Sequence, residues 1–272
     1  FERLKEAGID ISHQTAGALW MDDAFGAVMD RVRRLWVEED TIFIWSTDHG
    51  AGTINAKFTC YDGGVHIPYC MKWEGHIPAG MHYGGMIQNT DFLPTLCEMI
   101  GVAVPDSMTV DGRSLAGALT EGQGGDREEL YFEWGFTRAV KTGKWKYIAW
   151  RHTPEQIAAM KNGEVPQAYN MAGKPGPDFP MHMHPHYFEV DQLYDLESDP
   201  DEQRNLADVP EYAHVLVEMR NRLRPYLASF DHPFDLDTVD PFFKSEKYLE
   251  LVEAALADRR LYELYFYKEH AY

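Results

Sequence analysis

The run Thr41-Ile-Phe-Ile-Trp-Ser-Thr-Asp-His-Gly50 constrains the fold more tightly than any other stretch of the chain. Five of its first six residues are β-branched or aromatic and none is charged. That is the make-up of a strand buried on both faces inside a parallel sheet. The run breaks at Asp48-His49-Gly50. Open α/β sheets hold ligands beyond the carboxyl ends of their strands, so an Asp beside a His there reads as half of a metal site. For the pair taken alone, a capped turn with a solvated imidazole is the competing reading.

Upstream, Ala16, Leu19, Trp20, Ala24, Val28, Val32 and Leu35 recur at helical spacing over 12–38, one apolar stripe directed at a core. Ser12 is the expected N-cap, and Arg31, Arg33 and Arg34 suit the C-terminal end of the helix dipole. The adjacent acids Asp22 and Asp23 point about 100° apart on a helix and are read as structural. Helix 12–38 then strand 41–47 makes one αβ step of a parallel sheet, with 65–73 as the next strand. A short helix over 91–100, capped by Thr90 and ended by Gly101, follows.

Residues 105–128 are rich in Pro, Gly and acids and mark a boundary. Beyond it lie four short strand-like runs, 130–134, 137–141, 145–149 and 192–196, with Thr142-Gly143 as one turn. They predict a small antiparallel α+β subdomain. The long connection 151–190 contains Met181-His-Met-His-Pro-His186. Without an acid or Cys at fixed spacing, that cluster reads as a surface or specificity loop rather than a metal site. Amphipathic helices are expected over 210–229 and 244–270.

Between the strand and the subdomain stands Lys57-Phe-Thr59-Cys-Tyr61-Asp-Gly63-Gly64-Val-His66-Ile-Pro68. Together with Asp48-His49-Gly50, Asn89-Thr-Asp-Phe-Leu-Pro-Thr-Leu-Cys-Glu-Met-Ile-Gly101, Asp111-Gly-Arg-Ser-Leu115 and the run from Leu193-Tyr-Asp-Leu to Asn205-Leu206, it resembles the C-terminal half of type I sulfatases. These belong to the alkaline phosphatase superfamily. Each pattern alone is weak; all five stand in the family's order, and the resemblance runs from about residue 12 to 230.

The resemblance implies part of an alkaline-phosphatase-like, mostly parallel α/β sheet flanked by helices. Together with the boundary at 105–128, it suggests 1–128 as the C-terminal part of the catalytic domain and a four-stranded subdomain with helix over 129–230; the helical tail expected over 231–272 reaches past the resemblance. It implies sulfate monoester hydrolysis, with a sulfated carbohydrate as the expected substrate. A phosphatase or phosphonate monoester hydrolase of the same superfamily, or an inactive binding-only fragment, is the alternative. Asp48 and His49 match the family's metal pair, for which a hard ion such as calcium is expected. His49 stands where many relatives have Asn, which leaves open a softer metal or a role facing the sulfate. Lys57 matches the sulfate-binding Lys, a point charge for a tetrahedral anion. His66 stands where many relatives carry Arg and either faces substrate or lies on the strand. Thr59 and Tyr61 are expected to shape the turn, and Gly63 and Gly64 to permit positive φ or close backbone approach.

The family's formylglycine arises from Cys or Ser in Cys/Ser-x-Pro/Ala-x-Arg, and neither Cys60, Cys70 nor Cys97 has that context. The two N-terminal Asp ligands and the leaving-group His have no counterpart either. With an opening Phe-Glu-Arg-Leu-Lys-Glu, no initiator Met and no secretory signal, the chain reads as a fragment or processed chain. Export to the periplasm or outside the cell is expected from the family alone.

Bulk properties agree. Of 272 residues, 25 are Lys or Arg and 44 Asp or Glu, a net charge of −19 that argues against nucleic acid and anionic membranes as partners. No apolar run nears the ~20 residues of a membrane span. Three Cys without CxxC spacing propose neither a disulfide framework nor a zinc site.

Overall fold

The computed structural model describes residues 1–50, 57–122, 124–125, 127–169, 175–176, 179–231 and 234–257. After a short helix α1 (Glu2–Glu6), helix α2 (His13–Arg34) starts where the sequence predicts. Ser12 caps it in a reciprocal box: its Oγ accepts from Thr15 N–H at 3.1 Å, and Thr15 Oγ1 accepts from Ser12 N–H at 2.9 Å.

The strand of the opening run is β1 (Ile42–Ser46). A short helix α3 (Asp62–Val65) separates it from β2 (Tyr69–Trp73), so Val65 belongs to the helix and not to the strand. β1 and β2 pair antiparallel, Ile42 opposite Trp73 and Ser46 opposite Tyr69, which corrects the parallel step expected between them. Of β1, only Phe43 is fully buried, against Phe25 of α2 with ring centroids 6.1 Å apart. Nor is the apolar stripe of α2 packed against a core: the helix has no buried residue, and Trp20 is 72% exposed. The periodicity identified a helix correctly, but burial depends on partners that the described residues do not supply.

Helix α4 (Phe92–Met99) follows a single 3-10 turn over Asn89–Asp91, and Asp91, not Thr90, occupies its N-cap position. The Asp91 carboxylate turns outward to accept from Gln88 N–H at 2.9 Å and Arg113 N–H at 2.8 Å, and it pairs with Arg127. Thr95 Oγ1 accepts from Leu115 N–H at 3.0 Å. At Gly112 an added Cβ would stand 1.9 Å from Thr90 O. Two of the sequence motifs, 89–101 and 111–115, therefore form one packed unit. Helix α5 (Ala116–Thr120) closes it.

The four predicted strands are present as β3 (Leu130–Trp134), β4 (Thr137–Lys141), β5 (Trp145–Trp150) and, after the long connection, β8 (Asp191–Asp195). They make one antiparallel sheet in the order β3-β4-β5-β8. Both faces are covered. Val140, Tyr147, Ala149 and Leu193 pack under Val215, Met219 and Leu223 of helix α7 (Ala213–Ala228). On the other face Ala139, Ile148, Trp150 and Tyr194 meet Cys60, Tyr61, Tyr187 and Phe188. The expected loop 151–190 is in part structured: α6 (Pro154–Lys161), capped by Thr153, and a short antiparallel pair, β6 (Ala168–Tyr169) with β7 (Pro175–Gly176). Helix α8 (Glu246–Ala257) lays Ala255 on the Tyr61 face, and Tyr248 Oη donates to Phe188 O at 2.7 Å. The rest of the helix expected over 244–270 lies outside the described residues. No described helix is long and apolar enough to cross a membrane.

Candidate functional site

β1 ends by delivering Asp48-His49-Gly50 onto the Gly63-Gly64 turn. Gly50 N–H donates to Gly64 O at 2.8 Å. A Cβ at Gly50 would stand 2.1 Å from Gly63 O, so only glycine permits the approach. Gly63 and Gly64 do not adopt positive φ; their backbone is what Gly50 approaches. The motif on the strand and the motif after it thus build one site.

His49 Nδ1 lies 2.8 Å from Gly50 O. A carbonyl only accepts, so Nδ1 donates there and Nε2 is the ring atom free to face outward. That atom is 3.4 Å from Asp48 Oδ1, and the Asp48 side chain is 88% exposed. Two donor atoms at this separation match adjacent ligands of one divalent ion, whose bonds run about 2.0–2.6 Å. The pair therefore fits two positions of a metal shell. Among the described residues no three His, Cys, Asp or Glu side chains gather into a fuller one.

Lys57 enters from the following segment, with Nζ 4.9 Å from the Phe58 ring centroid. Phe58 holds φ at +66°, which a bulky L residue rarely adopts, and its ring lies 6.4 Å from His49 and 5.1 Å from Trp134. A chain of rings thus runs from His49 to the β3–β4 hairpin, with the Lys57 ammonium beside the Phe58 ring. His66 just follows α3, its side chain 76% exposed and Nδ1 3.9 Å from Asp62 Oδ2. Thr59 and Tyr61 are buried. Thr59 Oγ1 accepts from Tyr61 N–H at 3.2 Å, Tyr61 Oη donates to Gln192 Oε1 at 2.6 Å and the Tyr61 ring stacks on His184 at 3.6 Å, so both residues shape the turn.

Residue-by-residue reading of the sequence missed what holds α3 in place. Asp62, the first residue of α3, receives Lys141 Nζ at 2.5 Å on Oδ2 and Lys146 Nζ on Oδ1. Lys146 also contacts Glu202 Oε1 at 2.9 Å, and Glu202 Oε2 accepts from Asp62 N–H at 2.5 Å. Lys146 and Glu202 are almost entirely buried. Burial pushes the Asp62 carboxyl up, but Lys146 and Lys141 outweigh it and hold it below the usual range. Burial raises Glu202, with Lys146 opposing. The available signal was a lysine inside the apolar run Trp145-Lys-Tyr-Ile-Ala-Trp150.

The His-rich segment does not assemble a metal centre among the described residues. His184 is buried against Tyr61, contrary to a wholly surface loop, while His186 Nδ1 pairs with Glu189 Oε1 at 2.7 Å. Burial, with Lys146 nearby, pushes His184 down to about 4.

Residues 52–171 match the family model described as N-sulphoglucosamine sulphohydrolase, C-terminal. A Formosa agariphila ulvan-active sulfatase is 30% identical over 196 residues, covering 66% of this chain and 36% of its own length. The N-acetylgalactosamine-6-sulfatase of Canis lupus familiaris is 26% identical over 212 residues, 72% of this chain and 39% of its own. Among solved structures, a protein in complex with its substrate D-glucosamine-2-N,6-O-disulfate superposes with a TM-score of 0.58 at 20% identity, over 78% of this chain and 39% of that one. The chain thus spans well under half the length of these relatives.

Proposed function

We propose that this chain, a C-terminal portion of the sulfatase family, supplies one wall of a sulfate-ester hydrolysis site in the whole protein. The observation that supports the reading is the docking of Gly50 onto the Gly63-Gly64 turn, which sets the strand end carrying Asp48 and His49 against the segment that begins at Lys57. Asp48 and His49 would hold the divalent ion, calcium in view of the carboxylate oxygen. When bound, that ion neutralises the nonbridging oxygens of the ester. Lys57 binds the sulfate as a fixed positive charge, and His66 stands at the exposed rim as a second contact for the anion or its leaving group. The nucleophile in this reading is a formylglycine contributed from outside residues 1–272.

The substrate is proposed to be a sulfated carbohydrate, in keeping with relatives named for ulvan and N-acetylgalactosamine-6-sulfate. We further propose residues 1–128 as the catalytic-domain part, 129–230 as the subdomain and 231–272 as its helical tail. Export to the periplasm or beyond fits such a substrate.

The test is sulfate release from 4-nitrophenyl sulfate by the full-length protein. Asp48→Ala and Lys57→Ala should each lower kcat/KM by about 10²-fold or more, and chelation should abolish turnover. Full activity in both variants would remove the site assignment. Phosphate release without sulfate release from the wild type would move the protein to the phosphatase or phosphonate monoester hydrolase branch.

A further inference from the structure

We propose that Lys146 is a positioning residue for this site: its buried ammonium, clamped between Asp62 and Glu202, holds the Gly63-Gly64 turn against Gly50 and thereby sets where Asp48 and His49 stand. The consequence for catalysis rests on the sulfate-ester reading; the geometry does not.

The links are continuous. Lys146 projects from β5, one of the two inner strands of the subdomain sheet, onto the face that carries Tyr61. Its Nζ contacts Asp62 Oδ1 and, at 2.9 Å, Glu202 Oε1. Asp62 opens α3, and Gly64 within α3 accepts the Gly50 N–H at 2.8 Å. Lys141 closes the network on Asp62 Oδ2, so two ammonium groups face two carboxylates and the formal charge inside cancels. Glu202 is held at φ +55°, in the left-handed region that a glutamate rarely enters. Strain of that kind persists only where the surroundings over-determine it.

Stability does not account for the arrangement. Burying an ammonium and two carboxylates costs desolvation that apolar side chains of similar size avoid, and such replacements are often neutral or stabilising. Charged groups do, however, define direction and distance as a greasy contact does not. The network ties a motif at 57–68 to a motif at 193–206, across the sheet, at one defined spacing.

The experiment uses the full-length protein and the double variant Lys146→Met/Glu202→Gln. Met fills the volume of the lysine stem, and Gln keeps an acceptor for Asp62 N–H, so no unpaired charge stays buried. We expect a thermal midpoint within about 5 °C of wild type. Hydrogen exchange resolved to the Gly50 amide should speed up at least about tenfold, while the Arg113 amide in the Asp91 unit is unchanged. With 4-nitrophenyl sulfate, kcat should fall about 10- to 100-fold with the fold retained. Wild-type exchange at Gly50, or faster exchange with kcat unchanged, overturns the positioning role. Should the double variant fail to fold, Glu202→Gln alone is read by the same two measurements. If the wild type releases no sulfate, the Gly50 exchange still decides this inference, and the sulfatase reading falls separately.

Discussion

Gly50 shows how little latitude single residues have at the strand end. Its Cα faces the Gly63 carbonyl so closely that any side chain must displace backbone, not a flexible tip. We predict that Gly50→Ala destabilises the protein by roughly 2–4 kcal/mol and removes activity, because the displaced turn supports the strand end that carries the proposed metal ligands Asp48 and His49. Chemical denaturation compared with Gly80→Ala, where nothing lies within 4 Å but φ is +72°, separates close approach from backbone preference. The expected order is Gly50→Ala well below Gly80→Ala, with only the former silent in the sulfate assay. His49 carries a related lesson. Its ring orientation follows from a contact of Nδ1 with the next residue's carbonyl, which no composition argument supplies.

At the scale of elements, two hubs join stretches distant in sequence. Asp91 gathers the backbone of Gln88 and Arg113 and the Arg127 side chain, with its own side chain fully buried. Asp91→Ala leaves two amides and a guanidinium without their partner, so we expect a loss of about 3–5 kcal/mol, measured by urea unfolding. Asp91→Asn keeps part of the hydrogen bonding and should lose less. A result for Ala within 1 kcal/mol of wild type, on the order of a surface substitution, would show the hub to be dispensable. Lys146 is the second hub, joining β5 to α3 and to the segment around Glu202. The antiparallel pairing of β1 with β2 belongs here too: apolar content announces a strand, whereas direction is decided by the chain path through α3.

For the whole molecule, acid is the informative stress. Burial pushes His152 and His184 down to about 4 from an ordinary 6.5. Between those values the unfolded chain binds protons that the folded chain refuses, so stability is complete above about pH 6.5 and falls as pH drops toward 4. Each imidazole contributes on the order of 3 kcal/mol at most over that window. Asp62, held low by its lysines despite burial, adds a loss in the same direction in stronger acid. Urea midpoints at pH 7.5 and 5 should differ accordingly, and His152→Phe should flatten the dependence; an unchanged slope in that variant refutes the assignment. The four subdomain strands, the Ser12-capped helix and the two motifs that dock at the end of β1 were legible in the chain. Alternation, capping chemistry and motif spacing are local properties, written within a few residues of where they act. Whether the α2 stripe would be buried, which way β2 would run, why Gly50 is a glycine and what a lysine does inside an apolar strand were decided only by the tertiary structure. Each depends on which surfaces meet, and packing, burial and charge pairing arise between segments far apart in sequence, 140 residues in the case of Asp62 and Glu202.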